Sequence, residues 1–79
     1  MPKMKVLGGK DIVEILSKFD FRIVDQTGSH VKLRRITKTN EKQTLIVPLH
    51  KEIDKGLLNA IFKQAKVHIG EELKKYFFS

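Results

Sequence analysis

His30, Lys32 and Arg34 are the residues in this sequence whose types and spacing could do chemistry together, in the run His30-Val31-Lys32-Leu33-Arg34 that follows Gly28-Ser29. The run alternates strictly. As a strand it turns Val31 and Leu33 to the core and lines up one imidazole and two cations on the opposite face. Metal-independent RNA cleavage needs a base for the 2′-hydroxyl, cations for the charge on the phosphorane, and a proton donor for the leaving oxygen. Histidine suits the proton work because its ordinary titration lies near neutrality. The bland alternative is an ordinary strand histidine. Ser29 precedes His30 and so points away from it at a strand start, which favours a hydroxyl that orients the turn or binds phosphate over a nucleophile.

His50, just beyond the third apolar run, is either the second member of an acid and base pair or a hydrogen-bonded cap for the strand end, and the sequence favours the structural role. His68, between Val67 and Ile69, has no catalytic neighbours in sequence. The histidines at positions 30, 50 and 68 lack the short spacing of a zinc site, so no metal is expected. Glu71 and Glu72 are adjacent and diverge by about 100° on a helix, which makes them first-turn charges rather than a catalytic pair. Gly8-Gly9 lacks the downstream Gly-Lys-Ser/Thr of a phosphate loop, and no small-molecule cofactor is implied. Tyr76, Phe77 and Phe78 cluster near the end, where helix packing is favoured over base stacking.

The formal net charge is +7, and its placement matters more than its size. Between Arg22 and Lys51, seven Lys or Arg face only Asp25 and Glu41, whereas the segments on either side are nearly neutral. Such a middle third is the footprint of a phosphate-binding surface, with a solvated lysine-rich exterior as the alternative. The absence of cysteine removes disulfides, Cys-ligated zinc and thiol nucleophiles together and suits a reducing cytoplasm. The basic start Met1-Pro2-Lys3-Met4-Lys5 is followed only by Val6-Leu7 before Gly8-Gly9, too short a run for a signal peptide or a membrane span. The chain is therefore expected to be soluble and cytoplasmic.

The elements that must position the histidine follow from the periodicity. Ile12, Val13, Ile15, Leu16 and Phe19 have helical spacing, entered through Gly8-Gly9. Phe21-Arg22-Ile23-Val24 reads as a short strand, Gln26-Thr27-Gly28-Ser29 as turn chemistry, and His30 to Arg34 as the return strand. After a polar loop, Thr44 to Leu49 reads as a third strand, with Pro48 near an edge or an end. Asp54 is the N-cap of a second helix with the stripe Leu57, Leu58, Ile61, Phe62 and Ala65, and a shorter helix follows from Gly70. With 79 residues and no internal boundary, residues 1–79 are expected to form a single domain. The class is α+β, with helices on one face of a three-stranded antiparallel sheet and the other face open.

Several segments in this order carry a resemblance. Gly9-Lys10-Asp11-Ile12-Val13 with Leu16, Phe21-Arg22-Ile23-Val24, Gln26-Thr27-Gly28-Ser29-His30, Ile46-Val47-Pro48-Leu49-His50 and Lys55-Gly56-Leu57-Leu58-Asn59-Ala60-Ile61 closely resemble the HicA (YcfA-like) toxins. The match runs from about Gly9 to Ala65. It implies a double-stranded-RNA-binding-domain-like α-β-β-β-α fold and an mRNA interferase whose catalytic residue is the histidine after Gly-Ser, here His30. It also implies a toxin held inactive by a HicB antitoxin. Asp20 departs from the pattern, since the family commonly has Gly before the aromatic residue.

The functional expectation is thus the toxin of a type II toxin-antitoxin system, a metal-independent endoribonuclease acting on mRNA. His30 is assigned to proton transfer, Ser29, Lys32 and Arg34 to RNA binding, and His50 to a place beside the site. The alternative is a non-catalytic binder of structured RNA using the same basic face. A major-groove DNA reader is disfavoured because no helix concentrates Arg, Asn and Gln.

Overall fold

A computed structural model of the chain describes residues 3–79; Met1 and Pro2, which open the basic N-terminal segment, lie outside the described residues. The element order is α1 (Gly9–Ser17), β1 (Arg22–Thr27), β2 (His30–Ile36), β3 (Lys42–Pro48) and α2 (Lys55–Ile69). A 3₁₀ turn (Glu71–Leu73) and α3 (Lys74–Phe77) complete it. The strands form one antiparallel sheet in the order β1-β2-β3, with β2 in the centre. This is the expected α-β-β-β-α layout.

Alternation in β2 and β3 decides which face is covered. Val31, Leu33, Leu45 and Val47 are buried against Ile12, Leu16, Leu58, Ile61, Phe62 and Ala65 of the helices, in one cluster that also takes in Phe21, Leu73 and Phe77. Burying a side chain of this size contributes about 1.5–3 kcal/mol, so this layer holds the helices to the sheet. Leu57, assigned to the helical stripe, lies at its margin and is 37% exposed. Asp54 caps α2 as expected, its carboxylate accepting from the Leu57 N–H at 2.9 Å. Near the C-terminus, Lys66 pairs with Glu71 at 2.9 Å. Its hydrogen bond and charge hold the exposed Glu71 carboxyl below the usual glutamate range.

The boundaries differ from the sequence reading at the two turns flanking β1, and in addition β2 extends to Ile36 and β3 runs from Lys42 to Pro48 rather than from Thr44 to Leu49. Gln26 and Thr27 belong to β1, not to the turn, because the β1-β2 connection is only Gly28-Ser29 and Thr27 already pairs with His30. Gly28 has φ +58°, the conformation a two-residue hairpin loop requires at its first position. Helix α1 stops at Ser17 rather than Phe19. The Phe21 N–H returns to the Leu16 carbonyl and the Asp20 N–H to the Ser17 carbonyl, both at 3.2 Å, with Asp20 left-handed at φ 70°. This is a Schellman-type ending, in which glycine is the usual occupant of the left-handed position. The resemblance placed glycine at the same position.

Candidate functional site

The uncovered face of the sheet is built in rows, because residues paired across antiparallel strands lie side by side. One row is Thr27-His30-Pro48, of which Pro48 is buried, the next Asp25-Lys32-Ile46, and the third Arg22-Arg34-Thr44. Neighbouring rows are about 7 Å apart along the strands and neighbouring strands about 5 Å apart. His30 therefore stands at the head of β2, beside the hairpin turn, with Lys32 and then Arg34 following on the same face. His30 is exposed, while Lys32 and Arg34 are half-buried.

Several local contacts fix this end of the sheet. The Ser29 carbonyl accepts from the Leu49 N–H at 2.6 Å, tying the turn to the chain leaving β3. Gln26 Nε2 donates to the Gly28 carbonyl at 3.1 Å and braces the turn from the other side. The Ser29 side chain is exposed on the turn itself. Its backbone thus helps hold His30 in place, and its hydroxyl faces solvent.

His30 and Lys32 share a shallow depression of about 320 Å³ with Asp25, Thr27, Val31 and Ile46. Arg34 lies one row further on, where its Nε donates to Thr44 Oγ1 at 3.3 Å. His50 is not brought to this depression. It lines a separate one with Gly8, Lys10, Asp11, Leu49 and Lys51, where its carbonyl accepts from the Gly9 N–H at 2.9 Å. Helix α1 comes so close to this segment that a Cβ on Gly9 would fall 2.1 Å from the Pro48 carbonyl oxygen. The Gly8-Gly9 pair thus permits a close backbone approach.

Arg35 belongs to the basic segment by sequence but not to this face. Its guanidinium donates to the Phe19 carbonyl at 3.0 Å, the His68 carbonyl at 2.7 Å and Gln43 Oε1 at 2.7 Å, and lies 5.0 Å from the centre of the Phe21 ring. The aromatics are likewise elsewhere: Phe19 meets Tyr76 edge-on at 5.7 Å, and Phe62 packs on Phe77 and Phe78. Among the described residues, no Phe or Tyr lines the depression. Among the described residues, no group of three or more His, Cys, Asp or Glu is placed to hold a metal ion, and no helix is long and apolar enough to cross a membrane.

Sequence reasoning missed Asp25, Thr27 and Ile46 as neighbours of His30. The register shift between Ile23 and Asp25 puts Asp25 opposite Lys32, and nothing in the residue pattern marks where the extra residue falls. Thr27 was hidden by its assignment to the turn. Ile46 carried a usable signal, since alternation with Leu45 and Val47 already placed it on the outer face.

Fold and surface together define a class: small α-β-β-β-α proteins with an uncovered sheet face bearing a histidine and cations. Residues 9–67 match the family model described as HicA toxin of bacterial toxin-antitoxin, and the chain belongs to that family. Membership in a toxin-antitoxin family implies an antitoxin partner. No curated protein and no solved structure matches the chain significantly.

Proposed function

We propose that this toxin is a metal-independent endoribonuclease acting on mRNA in the cytoplasm, with His30 as its proton-transfer residue. The observation that carries the proposal is the placement of His30 on the uncovered sheet face in one depression with Lys32. A pure RNA binder has no need of an imidazole beside its cations. The nucleophile is the substrate's own 2′-hydroxyl, already held next to the phosphorus. Neutral His30 takes the 2′ proton as the O2′–P bond forms, and Lys32 and Arg34 stabilise the charge on the phosphorane oxygens. The P–O5′ bond then breaks. Since His50 lines a different depression, water supplies the proton to the departing 5′ oxygen, and the hydroxide it leaves takes the proton held by His30, which returns to its neutral form. The products are a 2′,3′-cyclic phosphate and a 5′-hydroxyl, and Ser29 contacts a flanking phosphate from the turn.

The antitoxin that fits this reading is of the HicB type and covers the same face. Burying His30, Lys32 and Arg34 without partners would be unfavourable, so it presents acidic groups there. Incubating purified protein and a His30→Ala variant with RNA in excess chelator tests the activity. Wild type should cleave, and the variant should lose about 10²- to 10⁴-fold in rate while retaining its fold and RNA affinity. Undiminished cleavage by a folded variant removes His30 from this role, and binding without any wild-type cleavage establishes the non-catalytic binder instead.

A further inference from the structure

We infer that the row beside His30, Asp25-Lys32-Ile46, is a nucleobase subsite in which Ile46 lies against the face of a base and Asp25 accepts a hydrogen bond from its exocyclic amino group. The inference rests on the RNA-cleaving reading above. It adds a specificity determinant: at one nucleotide flanking the cut, adenine, cytosine or guanine is preferred over uracil, which has no amino group.

The bulge in β1 is the first support. Ile23 pairs with Leu33, so regular pairing would set Val24 opposite Lys32 and turn Asp25 toward the helices opposite Val31. The shift leaves Val24 as the extra residue and sets Asp25 opposite Lys32 instead. Bulges commonly re-aim a side chain next to a functional site. Here the re-aimed group is a carboxylate, delivered to the face that carries His30, Lys32 and Arg34.

Among the described residues the ion pairs within 4 Å both belong to Glu71, and Asp25 pairs with neither Lys32 nor any other cation. Asp25 Oδ1 accepts from the Gln26 N–H at 2.8 Å, which fixes the side chain and leaves Oδ2 free. An ionised carboxylate only accepts hydrogen bonds, and it repels phosphate. Its ligand on an RNA strand must therefore offer an N–H or O–H donor; adenine, cytosine and guanine offer an amino group, whereas the one ring N–H of uracil lies between two carbonyl oxygens that a carboxylate repels.

Ile46 selects the base over the ribose. It is 53% exposed, an apolar side chain left open on a polar face, and it lines the same depression as Asp25. Across the row, Asp25 and Ile46 stand about 10 Å apart, with Lys32 between them. A flat base can thus rest on one and reach the other with its edge. The depression, about 320 Å³, is at the small end of ligand sites, which suits one base.

The test uses the purified full chain and a pool of RNAs randomised around a mapped cut. Wild type should disfavour uridine about tenfold or more at one flanking position, and Asp25→Asn, whose amide both donates and accepts, should level that preference. Replacing guanosine by inosine, or adenosine by purine riboside, removes the amine and leaves the ribose intact. At that position either change should slow wild type to a similar extent and leave Asp25→Asn unaffected. Ile46→Ala should raise KM at this position while the preference for an amino group persists.

An unchanged base preference in Asp25→Asn overturns the inference, as does wild-type indifference to removal of the amine. A uniform loss of rate in Asp25→Asn with its preference intact also overturns it, by giving Asp25 a part in the chemistry or the fold. Wild type that cuts no RNA overturns both this inference and the activity beneath it. Wild-type cleavage with an unaltered Asp25→Asn pattern overturns this inference alone.

Discussion

Arg34 and Arg35 are adjacent in β2 and differ in everything but charge. Arg34 lies on the open face with one weak side-chain contact, to Thr44. Arg35 turns toward the helices, where it bonds the Phe19 carbonyl in the turn after α1 and the His68 carbonyl near the end of α2 and stacks on Phe21. One step along a strand reverses the side on which a residue acts. Residues of the same charge in the same segment therefore divide between holding the fold and facing a ligand, and only the pairing register says which is which.

Mutating each side in turn should separate the two tasks. Arg35→Ala should lower stability by about 2–3 kcal/mol in urea unfolding, because it removes charge-assisted hydrogen bonds to Phe19 and His68 together with the aromatic contact. Arg35→Lys should recover little of that, since an ammonium lacks the planar fork that reaches separate acceptors. A change below about 0.5 kcal/mol, the usual range for surface positions, would put Arg35 on the ligand side of the comparison.

The double variant Lys32→Ala, Arg34→Ala should do the reverse. Its stability should stay close to wild type, while its affinity for single-stranded RNA falls at all sequences. The slope of log affinity against log salt should drop by about 1.4, for two phosphate contacts. Equal slopes for variant and wild type would move RNA binding off this face.

The smallest effect concerns the turn that delivers β1 to the sheet. Asp20 is a non-glycine residue at φ 70°, so Asp20→Gly should stabilise the protein by about 0.5–1 kcal/mol without altering RNA affinity. Thermal unfolding of the two proteins checks the sign. A loss of stability would mean that the Asp20 side chain does more than tolerate its backbone.

Most of the layout was legible in periodicity. The 3.6-residue stripe around Ile12 and Leu16 and the strict alternation from His30 to Arg34 each depend on a face buried against a neighbour, and burial leaves its mark in residue type. The same alternation places His30, Lys32 and Arg34 on one surface. What stayed hidden was set by register and long-range contact. The bulge at Val24 adds a residue to an exposed edge strand, where no burial pattern records it. The backbone acceptors of Arg35 lie 16 and 33 residues away in sequence. The Gly9 contact with Pro48 depends on where α1 lies against the end of β3.

The central claim, that His30 activates the RNA's own 2′-hydroxyl on the open face, is tested most directly with an RNA bearing a single 2′-deoxy substitution on the 5′ side of a mapped cut. Without that hydroxyl no O2′–P bond can form, so cleavage should cease at that bond and continue at unmodified sites, where the products end in a 2′,3′-cyclic phosphate and a 5′-hydroxyl. Cleavage persisting at the deoxy position, or products carrying a 5′-phosphate, would contradict the mechanism and return the reaction to an activated water molecule.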